Sequence, residues 1–170
     1  MILERGRIVN AISTGRRASI RFARPSWTTA GALTNTIDTM RISRELLEKI
    51  VAHAREEAPN ECCGMVACAD GSAVEVYPTS NAEASPFRFM IDPREQLRVH
   101  NEIETRGLEL GAIYHSHTRT EPRPSQTDVI FSRGWPGVVW IIVGLSNGEP
   151  EVRAFTIQDA SVSEVKLIVE

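Results

Sequence analysis

A chain of 170 residues, 42% hydrophobic and 24% charged, has the size and composition of one globular domain. Its net charge of -3 and pI near 5.9 leave no general basic field, which disfavours nucleic acid and anionic membrane surfaces as partners. The longest apolar run, GVVWIIVGL from Gly137 to Leu145, is about half of what a membrane-spanning helix needs and reads as a buried strand.

In chain order, the regular pattern begins late. Residues 1–39 carry Arg5, Arg7, Arg16, Arg17, Arg21 and Arg24 among serines and threonines, with only Glu4 and Asp38 as acids. A transit-type address is Arg-rich, Ser-rich and acid-poor in this way, and so is an extension upstream of a translation start at Met40. A secretory signal is disfavoured, because no apolar core of about 7 to 15 residues follows the charged start. The expectation is a disordered or non-native extension over 1–39 and one folded domain over 40–170.

SRELLEKIVAHAREEAP predicts a helix: Ser43 stands in N-cap position, Leu46, Leu47, Ile50, Val51 and Ala54 form one stripe, and Pro59 ends it. CCGMVACA and SAVEVYPTS flank Asp70-Gly71, a pair suited to the positive φ angles of a tight hairpin turn. FRFMI alternates briefly and predicts a third strand. Asp92 can cap a second helix over PREQLRVHNEIETRG, with Pro93 at its first position and Gly107 as its stop. LELGAIYHSH then predicts a strand, SQTDVIFSR a short helix, GVVWIIVGL a central strand, and EVRAFTI with EVKLIVE close the sheet. The expected fold class is α/β, a sandwich whose mixed β-sheet is flanked by helices.

Cys62, Cys63 and Cys68 are odd in number, lack CxxC spacing and crowd into one segment, so no disulfide framework is expected and a reducing cytoplasm fits. A thiolate ligand or nucleophile at Cys62 or Cys63 is weighed against small buried residues at a strand start, and the second reading is preferred. His53 and His100 fall on predicted helices and read as surface or half-buried residues.

The stretch GAIYHSHTRTEPRPSQTDVI carries the chemistry. Residues two apart on a strand face one side, so His115 and His117 project together while Tyr114 and Ser116 face away. A divalent metal is the commonest reason for such convergence, and a catalytic zinc takes three protein ligands plus a water. Asp128 is the candidate third ligand if the loop folds back past Pro122 and Pro124. Attack on a peptide bond also needs a base to take the water's proton and pass it to the leaving amine. Glu61, a charge at the entry to the first core strand, is the best candidate. Ser125-Gln-Thr-Asp128 also fits a capping box, a purely architectural device.

These residues resemble the JAMM (MPN-plus) metalloprotease pattern: a distant Glu, then His-x-His, seven residues, Ser, two residues and Asp. The resemblance covers about Ile42 to Glu170. It implies zinc held by His115, His117 and Asp128, general acid/base catalysis by Glu61, and Ser125 assisting the tetrahedral intermediate. Thr118 stands where the family often has Pro, as in small bacterial members with HSHT. HAREEAPNECCGMVA and TSNAEASPFRFMIDPREQL are similar to the CysO-cysteine peptidases, which release a C-terminal cysteine from a ubiquitin-like sulfur-carrier protein. The implied partner is such a carrier with a Gly-Gly tail, and the implied role is cysteine biosynthesis. A deconjugating or processing protease for another ubiquitin-like protein and a non-catalytic MPN interaction module are the alternatives. The zinc nucleobase deaminases, which share a mixed sheet and a catalytic Glu, are set aside because the P-C-x-x-C part of their signature is missing. The sequence leaves open whether the chain forms a homodimer and whether Arg119 and Arg123 meet substrate.

Overall fold

The computed structural model describes residues 37–170; the extension expected over 1–39 lies almost wholly outside them. Its elements are β1 (Thr39–Ile42), α1 (Arg44–Glu57), β2 (Cys63–Ala69), β3 (Ser72–Thr79), α2 (Pro93–Thr105), β4 (Glu109–His117), α3 (Gln126–Phe131), β5 (Val139–Gly144), β6 (Glu151–Gln158) and β7 (Ser161–Val169). Ser43 caps α1 by accepting from Leu46 N–H, and Asp92 caps α2 by accepting from Arg94 and Glu95 N–H. Asp70 and Gly71 take φ angles of 49° and 74°, the left-handed pair that a tight β2–β3 turn requires.

The strands pair in the order β1, β3, β2, β4, β5, β6, β7, with β4 parallel to β5 and antiparallel pairing around it. The mixed sheet with flanking helices is therefore as expected, but it closes into a barrel. Closure is the work of β1, which lies parallel to β7 from Thr39↔Lys166 to Ile42↔Val169 and touches β3 at Arg41↔Ser72. No periodicity marks this strand in the sequence, because four residues are too few to show one.

The third strand expected at FRFMI does not form. Residues 80–92 fold as a loop with one bridge, Asn81↔Ile91. Asn81 takes over the hydrogen bonding a partner strand would have supplied: its Oδ1 accepts from Glu83 and Met90 N–H, and its Nδ2 donates to the Arg88 and Glu61 carbonyls.

Alternation along β4 and β5 divides the core in two. Ala112, Tyr114, Val139, Ile141 and Val143 join Ile50 and Ala54 of α1 in one cluster. Ile113 and Trp140 join Val99 and Ile103 of α2, with Phe89 and Ile91 of the loop, in the other. His115 and His117 extend the second face to the end of β4, so the site stands on the α2 side of a sheet packed on both sides.

Candidate metal centre

At the C-terminal end of β4 the Nε2 atoms of His115 and His117 lie 3.1 Å apart. The residues between and before them turn the other way: Tyr114 meets His53 of α1, and Ser116 Oγ accepts from Cys62 N–H. After His117 the chain doubles back. Pro122 seats against Gly144, where a Cβ would lie 2.6 Å from its Cδ, so only glycine at the end of β5 allows so close a return. That return brings α3 to the strand end. Ser125 Oγ accepts from Asp128 N–H at 3.2 Å, and Asp128 Oδ2 accepts from Ser125 N–H at 2.6 Å, the expected capping box. The box holds the Asp128 carboxylate 3.3 Å from His115 Nε2 and 3.5 Å from His117 Nε2.

The triad fits a small divalent cation. Ligand bonds of ~2.0–2.2 Å in a tetrahedron imply ligand atoms roughly 3.3–3.6 Å apart; here the two Nε2 atoms are 3.1 Å apart, and each has one Asp128 oxygen in that range, Oδ1 at 3.3 Å from His115 and Oδ2 at 3.5 Å from His117. The imidazoles are oriented for it as well. His117 Nδ1 faces the Glu121 carbonyl at 3.0 Å and, as an N–H donor there, leaves Nε2 with its lone pair. His115 is fully buried and its Nδ1 has no partner among the described residues, so Nε2 is that ring's polar outlet. Phe89 stacks on it, ring centroids 4.4 Å apart, and fixes its plane.

Charge follows position. Burial would push the Asp128 carboxyl up, but His115, His117 and the Ser125 N–H hold it well below the usual carboxylate range. Burial lowers His115, whereas His117, also opposed by burial, is raised by Asp128 and the Glu121 carbonyl. Glu61 is 5% exposed and its carboxyl is pushed up to about 7, first by burial and then by Asp128, with His117 opposing. Its backbone is pinned by donation from Glu61 N–H to Ser85 O and from Asn81 Nδ2 to Glu61 O, at 2.9 Å each. The Glu61, His117, Ser125 and Asp128 side chains line one cavity of about 160 Å³ with Phe87, Phe89 and Arg119.

All five residues singled out in the sequence thus meet in one place. Cys62 and Cys63 do not join them; burial pushes these thiols up to about 12 and about 11, so neither is a thiolate. Thr118, in the position often held by Pro, donates its hydroxyl to the Pro59 and Pro86 carbonyls and ties two loops at the rim. Phe89 and Asn81 carry no functional signal in the sequence: FRFMI alternates as a strand does, and no local period marks a residue whose partners lie across the fold.

A family model for prokaryotic homologs of the JAB domain matches residues 43–158. The chain belongs to this JAB-domain family. This JAB-domain chain is 37% identical over 134 residues to the CysO-cysteine peptidase of Mycobacterium tuberculosis, covering 76% of this chain and 90% of that one. It is 35% identical over 111 residues to the desampylase of Pyrococcus furiosus, covering 65% and 76%. The solution structure of a Desulfitobacterium hafniense protein, 31% identical, matches with a TM-score of 0.70 over 78% of this chain and 93% of that one. The resemblance read from the His-x-His motif and the α/β fold expected with it are both borne out for this JAB-domain protein. No helix among the described residues is long and apolar enough to cross a membrane.

Proposed function

We propose that this protein is a zinc-dependent peptidase that cleaves at the C-terminal tail of a ubiquitin-like sulfur carrier ending in Gly-Gly, releasing cysteine from a carrier-cysteine adduct. The observation that carries the reading is the meeting of the His115 and His117 Nε2 atoms with the Asp128 carboxylate, at a cavity that the buried Glu61 lines together with His117 and Asp128. His115, His117 and Asp128 would hold the zinc, which when bound acidifies a water and polarises the scissile carbonyl. Glu61 takes the water's proton on its carboxylate and returns it to the departing amine, and a carboxyl tuned close to neutrality suits both transfers. Ser125 Oγ already accepts from Asp128 N–H, which leaves its hydroxyl hydrogen to meet an oxygen that gains negative charge. Thr118 to Pro124 flank the groove for the extended tail, whose glycines offer only backbone to recognise. Cysteine biosynthesis in the cytoplasm is the setting proposed. The similarity to a desampylase favours one second reading, removal of a ubiquitin-like protein from a conjugate.

Zinc per chain and hydrolysis of a carrier-cysteine adduct, measured on the same preparations, test this. Glu61→Gln should keep zinc and lose turnover by ~10²–10⁴-fold. His117→Ala and Asp128→Ala should lose both, as should the parent after chelation, with zinc restoring activity. Near-normal turnover in Glu61→Gln sinks the mechanism, and cleavage of conjugates but not of the cysteine adduct selects the second reading.

A further inference from the structure

Arg88 and Arg119 line the cavity, Arg123 follows in the same loop as Arg119, and the three guanidinium groups differ in what they hold. Arg88 reaches Glu83 at 2.7 Å and Arg123 reaches Glu121 at 3.4 Å, so each has a carboxylate of its own. Arg119 lines the cavity with Glu61, His117, Ser125 and Asp128, and no carboxylate among the described residues pairs with it. Its Cζ lies 4.8 Å from the ring centroid of Phe87, a side chain 70% exposed yet also on the cavity wall. An aromatic ring under a guanidinium orients it without engaging its N–H groups, which remain free for a planar, two-pronged partner. An exposed phenylalanine gains little by burial here, so its contribution is to hold that cation in place.

We propose that Arg119, positioned by Phe87, binds the free α-carboxylate of the residue leaving the scissile bond, which makes the enzyme selective for a single C-terminal residue. The inference rests on the peptidase reading and deepens it. The cavity's size agrees: at about 160 Å³ it is small, in keeping with a leaving group of one residue. The leaving side of a conjugate to a lysine side chain has no free carboxylate one residue beyond the cleaved bond, so Arg119 separates the two substrate classes.

The test uses binding, so that it does not depend on turnover. Zinc-loaded full-length Glu61→Gln protein is titrated by calorimetry with the tripeptide Gly-Gly-Ser as free acid and as amide, serine replacing cysteine to keep a thiol off the metal. The free acid should bind roughly tenfold to a hundredfold more tightly, the range of one charge-assisted contact. Adding Arg119→Ala should abolish the preference, Arg119→Lys should restore part of it, and Phe87→Leu should weaken it. Equal affinity for acid and amide in the parent overturns the proposal. So does a preference that survives Arg119→Ala, which would put the carboxylate on the metal. An Arg119-dependent preference in a protein whose unmutated form cleaves no carrier adduct would sustain the carboxylate site and sink the hydrolytic reading.

Discussion

His53 and Tyr114 join α1 to the face of β4 opposite His115 and His117, with His53 Nδ1 and the Tyr114 hydroxyl 2.8 Å apart. Burial pushes the phenol's pKa far up, so the hydroxyl stays protonated and donates, and Nδ1 must be the unprotonated acceptor. Burial also lowers the pKa of His53, against the opposing pull of Glu57 and Glu56. A histidine whose folded pKa lies below its unfolded value of ~6.5 stabilises the fold above that pH, and the contribution is lost as pH falls through 6.5 towards the folded value. His53→Gln keeps an acceptor that does not titrate. The stability advantage of the parent over His53→Gln at pH 8 should therefore shrink by pH 5.5, read as thermal midpoints of matched preparations. A gap constant across that range would show that His53 is not the acceptor inferred here. The same bond explains why a histidine that reads from sequence as half-buried is held rigidly on a helix.

Among the elements, the loop over 80–92 has more influence on the site than its lack of regular structure suggests. It supplies Phe89 to the face of His115 and, through Asn81, the contact to the Glu61 backbone. Asn81→Ala removes four hydrogen bonds at once, and at a net ~0.5–1.5 kcal/mol each the cost should be about 2–6 kcal/mol. Turnover should fall as well, because Glu61 and Phe89 lose a common support. Urea midpoints and kcat check both, and a variant with parental values for each would show the loop to be held by other means. Elements with a local signature were legible in the sequence: Ser43 and Asp92 as caps, Asp70-Gly71 as the turn, and the doubled histidines at the end of a strand. The loop was not, since FRFMI has the two-residue alternation of a strand while its polar partner, Asn81, lies outside that window. The candidate site was legible for a related reason: two histidines, a cap and an aspartate sit within fourteen residues, from His115 to Asp128, leaving Glu61 as the one distant member.

At the scale of the molecule, the barrel depends on β1. Met40 and Ile42 are 3% and 1% exposed, and burying two such side chains contributes roughly 3–6 kcal/mol. Removing residues 1–36 should leave folding, zinc content and activity as in the full chain, whereas removal through Ile42 should cost several kcal/mol or abolish folding. Circular dichroism melts and zinc per chain distinguish the two. A stable protein lacking β1 would show that closure is incidental, and loss of activity on removing only 1–36 would show that the segment is a working part. The barrel was not legible because its closing pair joins residues far apart in the chain, Thr39 to Lys166, which no local window spans.

That pairing also sets an order of events during synthesis. β1 emerges from the ribosome well before β7, its principal partner, has been made; the 126 residues between Thr39 and Lys166 take about 6 to 25 s at ~5–20 residues per second. Through that interval β1 has only the short approach to β3 as strand pairing, and the nascent chain carries an apolar strand with an open edge. The enzyme's period of greatest exposure to aggregation and to chaperones is therefore built into its topology, and it ends only when the last strand is released.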